Sequence, residues 1–214
     1  MVSCVVWDWN GTLLNDVDAA MQAMDRMLAA RGLPLLGGVE RYRELFTFPV
    51  REYYEAAGLD LDREPFEELA VEWTGLYRQT SRECGLFPGA EQVLEALGRE
   101  GAVQLVVSAS PQETLERQVA EQGIGGSFQA LLGLSDIYAG SKAGLAGNYF
   151  RETGIDPARA VFVGDTLHDW EVAKEAGCGC VLLEQGHQSR RLLEQAGVPV
   201  LESIRQVPRF LKDL

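Results

Sequence analysis

Two short stretches hold the residues best suited to chemistry: Asp8-Trp9-Asn10-Gly11-Thr12, and Gly164-Asp165-Thr166-Leu167-His168-Asp169. Each follows an apolar run, residues 2–7 and 160–163, that reads as a buried parallel strand. Carboxylates leaving the carboxyl ends of neighbouring strands face one crevice, where open α/β sheets place their ligands. Two carboxylates there, with no basic residue beside them in sequence, are costly to ionise together unless a cation sits between them. Hard oxygen donors favour Mg²⁺. A single junction of this kind would be ordinary loop chemistry of Asp, Asn, Gly and Thr. Two of them, with the signals that lie between, point to a site.

The elements that must position these residues can be read along the chain. After the first motif the apolar spacing changes from strand to helix, with Val17, Ala20, Met21, Met24, Met27 and Leu28 on one face and Gly32 as a stop. Pro65 opens another helix, with Phe66, Leu69, Ala70, Trp73, Leu76 and Tyr77 on one side. Residues 15–86 show little strand signal and read as a helical insertion between the first strand and the rest of the sheet. Leu86-Phe87-Pro88-Gly89 marks the return. Strands are then expected at 103–107, 131–134, 160–163, 181–183 and 198–201, alternating with helices, the last over 207–214. That alternation predicts an α/β fold with a doubly wound parallel sheet. Ser110-Pro111-Gln112-Glu113 has the pattern of a capping box, whose helix would aim its free N–H groups at the crevice, a natural site for phosphate.

Composition excludes several function classes. With 214 residues, 46% hydrophobic, the chain can bury a sizeable core. It carries 32 acidic against 19 basic residues, a net charge of −13, which disfavours nonspecific contact with nucleic acid or anionic membrane. No apolar run reaches membrane-spanning length and no signal-type segment precedes the first strand, so the expected location is cytoplasmic. Cys4, Cys84, Cys178 and Cys180 lack zinc-type spacing and read as packing residues.

The motifs, in this order, resemble those of the haloacid dehalogenase superfamily, specifically its phosphoglycolate-phosphatase-like members with a helical cap. The family's Asp-x-Asp-Gly-Thr corresponds to Asp8–Thr12, and its Gly-Asp-Thr-x-x-Asp to Gly164–Asp169. Ser108, ending the run 103–107, fits the family's second-motif hydroxyl, and Lys142 in Gly140-Ser141-Lys142 fits its lysine. One departure stands out: the second Asp of the first motif is Asn10. The resemblance implies a Rossmann-like core of residues 1–14 and 87–214 with a cap of 15–86. It implies Asp8 as nucleophile, forming an aspartyl-phosphate. Asp8, the Asn10 carbonyl, Asp165 and Asp169 would surround Mg²⁺, and Thr12, Ser108, Ala109 and Lys142 would receive the phosphoryl group. Lys142 would act as a charged clamp, and Arg51 in the insertion would bind an acidic substrate group.

The expected function is therefore a Mg²⁺-dependent phosphatase of small phosphorylated metabolites, a monomer or homodimer, slowed because Asn10 cannot transfer a proton at neutral pH. The alternative is a catalytically weak protein that binds phosphate or a metabolite and acts through a partner. Other readings fit less well. A phospho-accepting receiver domain lacks the fourth motif and the insertion. A phosphonatase needs a cap lysine, and residues 15–86 contain none. A haloacid dehalogenase carries Tyr where this chain has Asn10.

Overall fold

The computed structural model describes residues 2–135, 137, 142 and 144–214. Six strands form one all-parallel sheet: β1 (Cys4–Trp7), β2 (Val103–Pro111), β3 (Ala130–Leu134), β4 (Ala160–Gly164), β5 (Gly179–Leu183) and β6 (Val200–Leu201), in the order β3-β2-β1-β4-β5-β6. The chain winds outward from β1 to β3, then returns to β4 on the other side of β1. The order thus reverses between β1 and β4, the switch point at which open α/β sheets leave a crevice. Asp8 follows β1 and Asp165 follows β4, so both carboxylates issue at that crevice.

Both sheet faces are covered, which is why the strands are largely apolar rather than alternating. The period of two assigns each side chain to a face. Val5 and Trp7 pack on one side with α5 (Ala90–Arg99), α6 (Gln112–Glu121) and α10 (Val207–Lys212). Cys4 and Val6 pack on the other with α7 (Leu145–Thr153) and α8 (Leu167–Ala176). The four-residue α9 (Arg190–Leu193) lies between β5 and β6.

Between β1 and β2 the chain builds four helices, α1 (Val17–Ala30), α2 (Val39–Leu45), α3 (Val50–Ala57) and α4 (Phe66–Thr80). They share a separate apolar cluster of Met24, Met27, Leu28, Tyr42, Tyr53 and Leu69. Arg31, just past α1, pairs with Glu64 at 2.6 Å and Glu72 at 2.7 Å, which ties the end of α1 to α4. The chain leaves and re-enters the core side by side: the Asn15 amide donates to the Gly85 carbonyl and the Phe87 amide to the Leu13 carbonyl, both at 2.9 Å.

Two expectations are corrected. The capping box at Ser110–Glu113 does not form: β2 runs on to Pro111, and α6 begins at Gln112 without a side-chain cap. The Ser110 hydroxyl instead donates to Asn10, as described below. The sixth strand is shorter than 198–201 because only Val200 and Leu201 pair with β5. Among the described residues, no helix is long and apolar enough to cross a membrane.

Candidate active site

The β1 ladder extends one residue past the strand, since the Asp8 amide donates to the Val163 carbonyl at 2.9 Å. That fixes the Asp8 carboxylate against Lys142, whose ammonium donates to Asp8 Oδ1 and to the Val107 carbonyl at 3.2 Å. Lys142 also pairs with Asp169 at 2.7 Å and is 2% exposed. Gly140 and Ser141 of the lysine segment lie outside the described residues.

Asp165 is held by two donors: the Thr12 hydroxyl on Oδ1 at 2.6 Å and the His187 amide on Oδ2 at 2.7 Å. Thr12, fully buried, therefore orients a carboxylate and does not line the cavity. Asp169 forms a capping box with Thr166, its Oδ2 accepting from the Thr166 hydroxyl and amide and from the Asp165 amide. Its other oxygen faces Lys142. One residue thus starts α8 and supplies a carboxylate to the site.

Glycine is required at two close approaches. A Cβ on Gly11, whose φ is +72°, or on Gly186 would run into the Asp165 carboxylate.

The electrostatics follow from crowding. Burial, with Asp169 and Asp165 adding to it, pushes the Asp8 carboxyl well above the ordinary range despite Lys142. Burial likewise raises Asp165, to about 6. For Asp169, burial is outweighed by Lys142 and the Thr166 hydrogen bond, so it stays ionised below the usual range. Lys142 is desolvated too, but Asp169 and Asp8 more than compensate and hold it charged.

Oxygens of Asp8, Asp165 and Asp169 all lie within 4.8 Å of one another. Three buried carboxylates against one ammonium leave a hard-donor deficit of positive charge that suits Mg²⁺. A metal chelation experiment tests this. Saturating Mg²⁺ at about 100 times its Kd should add about 2.7 kcal/mol over protein in EDTA, a rise in Tm of about 2–4 °C per kcal/mol for a chain this size. Identical melting curves would rule the site out.

Lys142 gives a second test. Lys142→Met removes the one ammonium on Asp8 and Asp169, and breaking a buried pair in this way costs about 3–5 kcal/mol. Urea unfolding in EDTA should show that loss, with part recovered by Mg²⁺. A loss under about 1 kcal/mol, the scale of an exposed pair, would mean that the carboxylates are solvated.

Asn10 is held on every side. Its amide nitrogen donates to Asp16 Oδ2 at 2.7 Å and to the Tyr77 hydroxyl at 2.8 Å, and its oxygen accepts from the Ser110 hydroxyl at 2.8 Å. Asp16 is 1% exposed and also accepts from Tyr77 at 2.5 Å and from the Gly11 amide at 2.8 Å. Its other neighbour is His187, 3.4 Å away, whose second ring nitrogen meets the Tyr42 hydroxyl at 2.7 Å. Burial opposes both charges, yet each favours the other: Asp16 is lowered and His187 raised.

The insertion is latched over this site. Arg43 on α2 donates to the carbonyls of Gly186 and Gln185, and Gln188 donates to the Phe46 carbonyl.

Several residues in this network carry little signal in the sequence. Asp16, just before α1, looks like a helix N-cap, but its side chain makes no cap bond. His187 is one of two histidines and follows Gln185-Gly186 after β5. A histidine at the carboxyl end of a strand is the available signal.

The remaining candidates divide. Ser108 is 1% exposed, and its hydroxyl oxygen accepts from the Ser110 amide at 3.0 Å, leaving its proton to donate. Ala109 lines the cavity beside Asp8 and Lys142. Arg51 does not: it is exposed on α3 and pairs with Glu55 at 3.9 Å. The arginines at the cavity are Arg78 and Arg117. Burial raises the cysteine thiols, Cys4 to about 12 and Cys178 to about 11, which disfavours the thiolate.

A doubly wound sheet thus brings three acidic residues and a lysine together at its switch point, beneath a helical insertion. The chain belongs to the haloacid dehalogenase-like hydrolases, whose family model matches residues 5–183. Within that family it is similar to phosphatases, the phosphoglycolate phosphatases among them. It is 26% identical over 218 residues to the phosphoglycolate phosphatase of Pseudomonas savastanoi pv. phaseolicola, covering 95% of this chain and 77% of that one. It is 28% identical over 196 residues to the N-acetylmuramic acid 6-phosphate phosphatase of Pseudomonas aeruginosa, covering 87% and 83%. A solved haloacid dehalogenase-like hydrolase from Streptococcus pneumoniae has the same fold, with a TM-score of 0.84, 19% identity and 98% of each chain covered.

Proposed function

We propose that the protein hydrolyses small phosphorylated metabolites with Mg²⁺, through a phosphoryl group carried on Asp8. The observation that supports this best is the Asp8 carboxylate, held by Lys142 at the mouth of the switch-point crevice among two further buried carboxylates. Asp8 Oδ attacks phosphorus as the P–O bond to the organic group breaks, and the freed oxygen takes a proton from water. Water then attacks the phosphorus of the aspartyl-phosphate, restoring Asp8 and releasing phosphate. Asp8, Asp165 and Asp169 would hold Mg²⁺, which when bound offsets phosphate charge and orients it for in-line displacement.

The chain's own residues do the remaining work. Lys142 balances the charge that gathers on the phosphoryl oxygens, and Ser108 offers a proton to one of them. Thr12 and the His187 amide keep Asp165 aimed, in a core of residues 1–14 and 87–214 that lies beneath a cap of 15–86. The paired linkers at 13–15 and 85–87 give that cap a place to pivot, and the Arg43 and Gln188 bonds hold it shut against water. Asn10 has both amide protons committed and none acidic enough to donate, so the leaving group must depart largely unassisted.

Phosphate release from acetyl phosphate, para-nitrophenyl phosphate, phosphoglycolate and glycerol phosphate, with Mg²⁺ and in EDTA, tests the reading. Mg²⁺-dependent turnover that is faster for the acyl and aryl esters supports it. No turnover of any ester, with binding of phosphate retained, would favour the rival: a protein that binds a phosphorylated ligand and acts through a partner.

A further inference from the structure

The cavity that contains Asp8 continues into the insertion, and there its chemistry changes. On that side its wall is Phe46, Phe48, Tyr53, Tyr54, Phe66 and Trp73. Among the described residues of the insertion that line it, the charged side chains are Asp16, buried at its floor, and Arg78, which is exposed. The other arginine at the cavity, Arg117, is exposed as well and pairs with Glu121 at 3.7 Å. The buried basic groups that line the cavity, Lys142 and His187, already have carboxylate partners, so a small acid seated against these rings would bury its charge unpaired, which is strongly unfavourable. The cavity measures about 150 Å³. A dry apolar cavity of roughly that volume accepts a benzene molecule.

Two polar atoms in this wall have no partner among the described residues: the Tyr53 hydroxyl and the Trp73 indole nitrogen, both buried. Tyr53 is 2% exposed. Both atoms are closed off from solvent, so what this wall presents to the cavity is ring surface. Trp73 also stacks flat on Tyr77, with ring centroids 4.9 Å apart and planes 7° from parallel. Tyr77 in turn bonds Asn10 and Asp16. The aromatic wall is therefore continuous with the end of the site where the leaving group departs.

Taking the phosphatase reading as its basis, we infer that the substrate is a phosphate ester or acyl phosphate of a single aromatic ring. The ring fills the chamber, its faces and edges against the aromatic side chains of the insertion. The chemistry at Asn10 agrees independently. Phenolates and carboxylates leave without a proton far more readily than alkoxides do, so an amide at this position is least costly for such substrates.

The test separates ring recognition from leaving-group effects. Acetyl phosphate and benzoyl phosphate have similar acyl leaving groups and differ by the ring. With Mg²⁺, kcat/KM should favour benzoyl phosphate by about 10- to 100-fold, the scale of burying one phenyl group. Phenylphosphonate, which cannot be hydrolysed, should bind more tightly than methylphosphonate or phosphonoacetate by a similar factor in calorimetry. Equal or weaker binding of phenylphosphonate overturns the ring chamber, and turnover of acetyl phosphate would in that case leave the phosphatase reading standing. Ring-selective binding without turnover of any ester keeps the chamber and overturns the phosphatase.

Discussion

Asp8→Asn is expected to reduce phosphate release by about 10³-fold or more, the scale on which removing a catalytic nucleophile acts. The change is nearly isosteric, and it removes the carboxylate that directly follows β1 and lines the cavity beside Lys142. Its effect on stability should be opposite in kind. Burial and two like-charged neighbours make an ionised Asp8 unfavourable, and Lys142 keeps its pairing with Asp169 when Asp8 is neutral. The variant should therefore melt no lower than wild type in EDTA and respond less to Mg²⁺, since one hard ligand is gone. Strain of this kind is stored where function needs it. Residual turnover above a tenth of wild type, in protein of verified mass, would exclude Asp8 as the nucleophile. A sharp fall in Tm would show that Asp8 is mainly a structural partner of Lys142.

The sheet was legible in the sequence because burial on both faces makes parallel strands near-continuous apolar runs: residues 4–7 and 160–163 announce themselves. The motifs at their ends were legible for the same reason, since strand ends at a switch point define a place in space. Side chains that reach the site from far along the chain were not. Asp16 reads as a cap residue because its local pattern is that of a helix start. Only the fold shows that it meets His187, beyond β5, while Thr12 meets Asp165 across β1 and β4. Ser110 misled in the same way. Its neighbours spell a capping box, but tertiary demand from Asn10 overrode the local use of its hydroxyl. Arg51 lies near aromatic residues in sequence, yet the helical period turns it outward to Glu55.

Asn10 links the sequence departure to the structure, and two variants show what it does. In Asn10→Asp alone, the new carboxylate would lie about where the amide now donates to Asp16, at hydrogen-bond distance. Two carboxylates that close cannot both ionise, so one is expected to keep its proton well above the usual carboxylate range. That proton is what the wild type lacks. Alkyl phosphate hydrolysis should rise, within the roughly 10²–10⁴-fold that general acid–base help supplies, and acetyl phosphate should gain much less. Part of the gain will be lost to disorder of the pair, because Asp16 also holds Gly11 and faces His187. The exchanged pair, Asn10→Asp with Asp16→Asn, removes that conflict. An amide at 16 still donates to position 10 while its oxygen accepts from the Gly11 amide, and the carboxyl now sits at 10. The exchange should exceed the single variant on alkyl esters and match wild type in Tm more closely. Intact mass must accompany each assay, since Asn10-Gly11 can deamidate and place an aspartate at position 10 unaided. If neither variant raises alkyl turnover relative to acyl turnover, then position 10 is not where the leaving group takes its proton. The Asn10–Asp16–Tyr77 network would then serve only to fix the floor of the aromatic chamber.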